Sequence, residues 1–252
     1  SYNGGKYVSA GCMDQSYKSM FKWLTLDLKT EGKSVRAIRI TSNARSELGE
    51  IALFDENGKL IPADTLTLGV KTRALFDEQD TVPESPSWYN STYFDEVYHP
   101  RTAYENVRGV YPYELSHPPL GKLIISLGIR LFGMTPFGWR CMGTLFGALM
   151  LPILYIFLKR LFGNTPIAGM GSLFFATDFM HFVQTRLATI DTYAVFFILL
   201  MYLFMYEYIR PAAEGAADTK TGEKRRNICL FFSGLSFGFG IASKWTCFYA
   251  GG

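Results

Sequence analysis

Cysteine, histidine and charged residues are scarce in this 252-residue chain. The four cysteines have neither CxxC spacing nor a histidine at zinc-ligand spacing, so the sequence predicts no zinc site. We expect them to pack as small apolar residues. Charged residues make up only 19% of the chain, while 48% is hydrophobic and 16% aromatic. This composition excludes a disordered or low-complexity protein.

The charge is divided unevenly along the chain. Residues 1–98 carry 11 Lys and Arg against 14 Asp and Glu, whereas residues 99–252 carry 14 against 8. The surplus positive charge therefore lies in the apolar half, where Lys and Arg flank hydrophobic runs. A nucleic-acid-binding protein concentrates its basic residues on a polar face instead, so nucleic acid is excluded as a partner.

The first 85 residues have the pattern of a water-exposed, β-rich unit. Short runs of strand-forming residues occur at 24–28, 35–41 and 50–54. The Asn57-Gly58 pair between polar residues predicts a hairpin turn. The chain opens within this pattern at Ser1-Tyr2-Asn3, and we expect it to be a fragment of a longer protein.

Four weakly charged segments predict transmembrane helices in the second half. They comprise residues 141–158, 166–177, 192–206 and 228–243. Residues 123–209 carry only eight charged side chains, and a helix of about 20 apolar residues spans a hydrocarbon core of roughly 30 Å. Because soluble helices rarely stay apolar on every side, we predict a multi-pass membrane bundle over residues 137–252.

The basic residues between these segments predict the orientation of the bundle. Lys159-Arg160 and the Lys and Arg residues of 210–227 belong on the cytoplasmic side by the positive-inside rule. Arg140, the turn at 181–191 and Lys244 then lie at the extracytoplasmic ends, on the same side as the β-rich unit. Ionisable residues beside a membrane are costly, so their collection at one face predicts a functional site.

Two motifs before the first predicted span add polar groups to this face. Asp95 and Glu96 lie among aromatic residues, and residues 114–122 (ELSHPPLGK) contain His117 and Lys122. A short amphipathic helix is predicted to follow this loop and to lie in the membrane interface. A carboxylate that faces Arg and Lys suits a reaction in which a proton is removed while an anionic group departs.

These motifs resemble those of the protein O-mannosyltransferases of glycosyltransferase family 39, which have the GT-C membrane fold. The segments that carry the resemblance are YFDEVYH (93–99), SHPPLGK (116–122), Arg140, RLATIDTYAVFF (186–197) and ASKWTCFYAG (242–251). Residues 1–85 resemble the discoidin-like insertion of some bacterial members. The resemblance implies three regions: this extracytoplasmic unit, an outer loop over 86–136 that carries the motifs, and the helices of 137–252.

The resemblance implies transfer of mannose from polyprenyl- or dolichyl-phosphate-mannose to Ser or Thr hydroxyls of a translocated polypeptide, with inversion. Asp95, together with Glu96, stands at the position of the family's catalytic carboxylate. Arg140 and Lys244, helped by Arg186, are expected to bind the donor phosphate. Only a fixed anion is expected to offset the cost of two cations at the membrane boundary.

His117, Lys122 and Asp191 are expected to position the loop or the substrate. No metal site and no cofactor are predicted, although a divalent ion on the Asp-Glu pair and His99 is an alternative. Besides the lipid donor, the acceptor polypeptide and membrane lipid, a translocon or a dimer partner is a candidate partner. The expected location is the bacterial cell membrane, or the endoplasmic reticulum membrane in a eukaryote, with an extracytoplasmic site.

Two other functions are alternatives at this stage. A GT-C transferase that moves another lipid-linked sugar to a lipid or glycan acceptor would share the fold and the charged face. A non-catalytic sugar-binding membrane protein would concentrate its binding residues in 1–85 and would tolerate change at Asp95. A transporter is disfavoured, because the charges gather at one face and not at the membrane midplane.

Overall fold

The computed structural model describes residues 2–3, 6–13, 19–30, 32, 34–35, 37–44, 48–62, 73–213 and 220–251. The chain divides into two compact units, Ser1–Thr92 and Tyr93–Gly252. The second unit is helical and carries every predicted site residue.

The first unit has little regular β-structure among its described residues. Strands β1 (Tyr2–Asn3) and β2 (Lys6–Tyr7) pair antiparallel. One isolated bridge joins Phe54 to Leu60. The expectation of a β-rich unit is therefore wrong for the described part of residues 1–85.

The predicted strands do not form because their apolar side chains stay exposed. Leu24, Leu26 and Leu28 alternate as in a strand, yet each is more than one third exposed, and Ile40 is 62% exposed. Such residues favour strands chiefly where they fit a pleated surface that is half-buried against a neighbour. Arg36, within the predicted strand 35–41, lies outside the described residues.

The predicted turn at Asn57-Gly58 is confirmed. The Asp55 side chain accepts hydrogen bonds from the amides of Asn57 (2.9 Å) and Lys59 (2.8 Å). The Asp55 amide in turn donates to the Lys59 carbonyl at 2.9 Å. Gly58 has a φ of +76°, a conformation that glycine adopts without steric strain.

The described residues of the second unit form seven α-helices and two 3₁₀ segments. The α-helices are α1 (His99–Arg108), α2 (Leu120–Phe132), α3 (Pro136–Phe162), α4 (Thr165–Thr177), α5 (Phe179–Gln184), α6 (Asp191–Ala213) and α7 (Lys220–Ser243). The 3₁₀ segments are Phe94–Val97 and Trp245–Ala250. Helix α6 packs along α7, and α3 contacts α2, α4 and α6, so α3 lies at the centre of the unit.

Local sequence signals set the boundary between α3 and α4 and the start of α3. Thr135 caps α3 by accepting a hydrogen bond from the Gly138 amide at 3.1 Å, with Pro136 at the first helical position. Asn164 caps α4 in the same way, through the Ile167 amide at 3.1 Å. The second cap starts a new helix two residues after α3 ends, so the chain reverses there.

Two helices are long and apolar enough to cross a membrane, α3 over Pro136–Phe162 and α6 over Asp191–Arg210. They contain the first and third predicted spans. Helix α4, at the second predicted span, has only 13 residues, a rise of about 20 Å. It ends where Asp178 caps α5 through the His181 amide (2.9 Å). These elements fit a helical membrane protein.

The fourth predicted span lies within α7, which begins earlier than expected. Residues 224–226, predicted to belong to a basic linker, are helical and form early turns of α7. Residues 214–219 of that linker lie outside the described residues. The basic residues are therefore presented from a helix surface.

Glycines on α3 let the segment before α6 approach this helix closely. A Cβ at Gly147 would lie 2.4 Å from the Cβ of Thr185, and one at Gly143 would lie 3.1 Å from the Leu187 carbonyl. Thr144, between the two glycines, donates to the Thr185 carbonyl at 3.2 Å. This contact holds the segment that leads into α6 against the N-terminal half of α3.

Candidate functional site

Glu96 is the buried centre of a network that joins three parts of the second unit. Its carboxylate accepts two hydrogen bonds from Arg140 on α3, from Nε (2.7 Å) and from Nη2 (2.6 Å). It also accepts bonds from the amides of Ala188 (2.9 Å) and Tyr93 (2.8 Å). These four bonds offset the cost of a fully buried charge. The network ties the 3₁₀ segment Phe94–Val97 to α3 and to the segment before α6.

This arrangement gives Arg140 a partner other than the predicted phosphate. Glu96 engages two of its guanidinium donors in the bidentate geometry that also suits a phosphate. Lys244 likewise bonds to a carboxylate, with 2.5 Å between its Nζ and Oδ1 of Asp191. The prediction that only a bound anion would offset these two cations is wrong, because protein carboxylates do so.

Asp95 precedes Glu96 in the same 3₁₀ segment, but it is only half-buried. Burial raises the pKa of Asp95 above its usual value, and the negative charge of Asp191 raises it further. Lys244 and His117 act in the opposite direction and lower the pKa of Asp95. Asp95 therefore lies near these three side chains, and its raised pKa makes it a better proton acceptor near neutral pH.

The backbone that carries Asp95 is strained. Phe94 has a φ of +51°, in the left-handed region that residues with a side chain rarely adopt. Its ring is 68% exposed. Strain of this kind persists where surrounding contacts enforce it and is common at functional sites. Here the enforcing contacts are those of Glu96 on the following turn.

Lys122 and Glu114 hold the ELSHPPLGK loop together. The buried Lys122 ammonium donates to the Glu114 carboxylate (2.6 Å), the Glu114 carbonyl (2.9 Å) and the His117 carbonyl (2.9 Å). All three of its donors are thus used within the loop. Burial alone would raise the pKa of Glu114, but hydrogen bonds from Lys122, Ser116 and His117 lower it to about 2. These are the contacts of a residue pair that positions the loop.

Two histidines lie side by side at this loop. Nδ1 of His117 is 3.2 Å from the Glu114 carboxylate and 3.0 Å from the Ser116 hydroxyl, so Glu114 orients the ring. The ring of His99 packs edge-on against that of His117, with centroids 5.7 Å apart. Burial lowers the pKa of His99 to about 4, which keeps it neutral at pH 7.

The end of α7 completes the rim of the site. Nε1 of Trp245 donates to the Ser116 carbonyl at 3.1 Å, and its ring is 59% exposed. This bond holds the neighbouring Lys244 beside the loop. Arg186 is exposed and stacks on Phe182, with 4.7 Å between the guanidinium carbon and the ring centre.

The structure thus brings Asp95, His117, Asp191 and Lys244 together. Glu96 and Arg140 lie behind Asp95, and Lys122 lies inside the loop. In the part of the chain that the structure describes, no hydrogen bond or ion pair joins Arg186 to this cluster. No group of three or more His, Cys, Asp or Glu side chains among the described residues is arranged to hold a metal ion.

Sequence reasoning assigned no role to Glu114 or to Trp245. Glu114 stands three residues before His117, and this local spacing is a signal that predicts a pair. Trp245 contacts a residue 129 positions away, so no local pattern could have indicated the contact.

Fold and site together fit a helical membrane protein with a polar, aromatic-rimmed cluster at one end of its helices. The sequence profile of the dolichyl-phosphate-mannose-protein mannosyltransferase family matches residues 116–251, more than half of the chain. The chain belongs to this family. The matched region includes residues 116–122 of the loop and Lys244, and it begins after Asp95, Glu96 and Glu114.

Several curated bacterial proteins match this chain at modest sequence identity. A polyprenol-phosphate-mannose–protein mannosyltransferase of Mycobacterium tuberculosis (strain H37Rv) is 27% identical over 143 residues, which cover 53% of this chain and 27% of the relative. The protein of the same name from Mycolicibacterium smegmatis (strain mc(2)155) is 27% identical over 143 residues, with coverage of 53% and 28%. That of Corynebacterium glutamicum is 37% identical over 82 residues, with coverage of 32% and 16%. The chain therefore spans about a quarter of the first relative's length. No solved structure matches it.

Proposed function

We propose that the full-length protein transfers mannose from a polyprenyl- or dolichyl-phosphate-mannose donor to Ser or Thr hydroxyls of proteins. The names of the relatives state a polyprenol-phosphate-mannose donor and a protein acceptor. The observation that carries the proposal is Asp95. It is a half-buried carboxylate with a raised pKa, close to Lys244, in a chain of this family.

Asp95 is the general base in this mechanism. Its carboxylate takes the proton of the acceptor hydroxyl while that oxygen attacks C1 of the mannose. The bond from C1 to the phosphate oxygen breaks, and the lipid phosphate leaves with the bonding electron pair. Attack opposite the phosphate inverts the anomeric centre. A base with a raised pKa suits this step, because proton transfer is most effective when the pKa approaches the working pH.

Lys244 is the proposed partner of the departing phosphate. An ammonium has three donors, and the bond to Asp191 uses one of them. Arg186 is the second proposed cation, because it is exposed two residues before Ala188, whose amide is bound at the site. Positive groups near the leaving oxygen stabilise the charge that develops there.

The remaining residues are assigned to positioning. Glu96 and Arg140 hold the segment that carries Asp95, in line with their mutual hydrogen bonds. Lys122 keeps the loop in shape, and His117 faces the site from that loop. Asp191 holds the ammonium of Lys244 beside Asp95 in this assignment.

We place the reaction at the extracytoplasmic face of a multi-pass bundle of GT-C type in a bacterial cell membrane. The basic ends of α3 (Lys159 and Arg160) and α6 (Arg210) lie away from Asp95, and the positive-inside rule assigns such ends to the cytoplasm. The relatives named above are bacterial proteins, which supports this membrane.

Transfer of labelled mannose from polyprenyl-phosphate-mannose to a Ser/Thr-rich peptide by the purified full-length protein tests the proposal. We expect Asp95→Asn to lower the rate by about 10²–10⁴-fold, the usual effect of losing a general base. Asp178→Asn is the matched control, since Asp178 caps α5 and Asn caps a helix equally well. Wild-type turnover by Asp95→Asn would contradict the role of Asp95. Transfer only to a lipid or glycan acceptor would contradict the proposed acceptor.

A further inference from the structure

A second charged cluster lies at the other end of the helices that carry the candidate site. Glu207 on α6 is buried and receives a hydrogen bond from Nη2 of Arg225 on α7 at 2.6 Å. Nε of Arg160 on α3 lies 3.5 Å from the same carboxylate, and Nη1 of Arg210 lies 3.7 Å from it. We call Glu207, Arg160, Arg225 and Arg226 the Glu207 cluster.

Positive charge is in surplus in the Glu207 cluster. Arg160, Arg210 and Arg225 share the single carboxylate of Glu207. Arg226 and Lys224, on the same turn of α7, make no ion pair within the described residues. Nε of Arg226 is buried and has no hydrogen-bond partner there, although its guanidinium lies over the ring of Tyr208 at 4.9 Å. Partly buried cations are costly without an anion, so the cluster suits an anionic ligand.

A shallow, open groove runs along α7 and begins at the same turn, and all of its lining residues belong to that helix. Its rim is polar, with one basic and one acidic residue, and its floor is apolar. The rim consists of Glu223, Lys224 and Asn227, and the floor of Ile228, Phe231 and Phe232. A headgroup at the rim would therefore continue into an acyl chain along the floor.

The Glu207 cluster lies where the two apolar spans end. The span of α3 ends at Phe162 and that of α6 at Arg210, and the hydroxyl of Tyr206 donates to the Arg160 carbonyl at 2.9 Å. Glu207 lies 16 positions after Asp191, which corresponds to about 24 Å of helix. This length approaches the roughly 30 Å of a hydrocarbon core. The cluster is thus at the height of lipid headgroups.

We propose that the Glu207 cluster and the adjoining groove bind an anionic phospholipid, with its phosphate on the arginines and an acyl chain on the apolar floor. Phosphate oxygens accept the paired N–H donors of arginine. Basic pockets between membrane helices on the cytoplasmic side are suited to anionic headgroups. The side chains of Arg160 and Arg225 are 47% and 52% exposed, so both are accessible to the headgroup. This site is independent of the proposed transferase activity.

Lipid retention by the full-length protein in nanodiscs measures this binding directly. The nanodiscs contain equal amounts of phosphatidylcholine and phosphatidylglycerol, and native mass spectrometry counts the lipids that stay bound. We expect the wild type to retain phosphatidylglycerol preferentially. Arg225→Gln should lower this preference by about fivefold, the usual effect of one basic residue near an anionic lipid. Glu207→Gln should raise it by about the same factor, since it removes the opposing charge.

Two variants and one competitor complete the test. Arg130→Gln removes an exposed arginine of α2 outside the cluster and should leave the preference unchanged. Arg225→Lys keeps the charge and should retain most of the preference, which separates loss of the site from misfolding. Equal retention of both lipids by the wild type would overturn the proposal. A fall in both Arg225→Gln and Glu207→Gln, or displacement of the lipid by inorganic phosphate, would overturn it as well.

Discussion

Asp95 and Glu96 are adjacent carboxylates with different environments. Glu96 is fully buried and accepts four hydrogen bonds, which is about the number that a carboxylate has lone-pair sites for. Asp95 is half-buried, and burial and Asp191 raise its pKa. Of the two, Asp95 is therefore the one available to accept a proton, and Glu96 determines where it stands.

Replacing Glu96 tests this division of roles. Glu96→Gln keeps the side-chain volume but leaves Arg140 as a partly buried cation without its carboxylate. Breaking such a pair costs about 3–5 kcal/mol. We expect the melting temperature of the solubilised protein to fall by several degrees. We also expect kcat to fall, with little change in the KM for the lipid donor.

The control for Glu96→Gln is Glu223→Gln, at an exposed glutamate of α7, which should melt like the wild type. Adding Arg140→Gln to Glu96→Gln removes the cation that Glu96 no longer balances and should restore part of the lost stability. A double variant destabilised by the full sum of the two single effects would show that the residues do not act as a pair.

His99 makes stability depend on pH within a defined window. Its pKa is about 4 in the folded chain because of burial, against an ordinary value of 6.5. Below the ordinary value the unfolded chain binds a proton that the folded chain does not, so stability falls as the pH drops from 6.5 towards 4. The loss is at most about 3 kcal/mol. We expect the melting temperature of His99→Gln to depend less on pH between these two values than that of the wild type.

Glu114 supplies an internal control for the His99 measurement. Its pKa is about 2 against an ordinary 4.5, so its contribution to stability is present above pH 4.5 and is lost as the pH falls towards 2. His99→Gln should keep this lower transition and lose the upper one. If the melting temperature of His99→Gln still fell between pH 6.5 and 4.5 as steeply as that of the wild type, the upper transition would belong to another group.

Contacts between helices depend on glycines that allow close approach. A Cβ at Gly128 on α2 would lie 2.3 Å from the Gly138 carbonyl oxygen and 2.7 Å from Sγ of Cys141, both on α3. Backbone cannot shift aside as a flexible side chain can. Helices α2 and α3 would therefore have to separate to accept the added methyl group.

Gly128→Ala should lower the stability of the folded protein by about 1–3 kcal/mol, the usual cost of overpacking. Gly169→Ala is the matched control on α4, because no atom lies within 4 Å of the place that its added methyl group would occupy. Alanine favours a helix over glycine by about 1 kcal/mol, so the control should melt no lower than the wild type. Thermal melting of the two variants measures the difference. Equal melting temperatures would show that α2 and α3 do not pack tightly at this point.

The second unit as a whole has two charged ends. One end carries Asp95 and Lys244, and the other carries the Glu207 cluster. If the arginine-rich end is cytoplasmic, as the positive-inside rule predicts, a residue near the site and one at the start of α4 must be accessible from opposite sides. Exposed positions at both ends make this testable.

We expect Leu115→Cys to react with a membrane-impermeant maleimide on intact cells, since Leu115 is exposed in the site loop. Thr165→Cys, at the start of α4, should react only after permeabilisation. Both variants carry Cys12→Ser, because Cys12 is an exposed native thiol. Reaction of Thr165→Cys on intact cells would reverse the proposed orientation.

Short-range signals were enough to predict much of the helical unit. Apolar runs predicted the spans in α3 and α6, and the Asn57-Gly58 pair predicted its turn. These features depend on residues within a few positions of one another, so the sequence alone predicts them. The motifs that resemble the mannosyltransferase family are local in the same way, and the family match covers those from residue 116 onward.

Long-range packing decided which charges meet and which segments become strands. Arg140 and Ala188, which donate to Glu96, lie 44 and 92 residues away from it, and Lys244 is 53 residues from Asp191. Composition predicted that the cations need an anion, but both a phosphate and a carboxylate satisfy that need. The strand-forming runs of residues 1–85 likewise require a covering layer, which no local pattern can supply. Ion pairs and sheets form only between groups that the fold brings together, and for that reason the chain alone does not predict them.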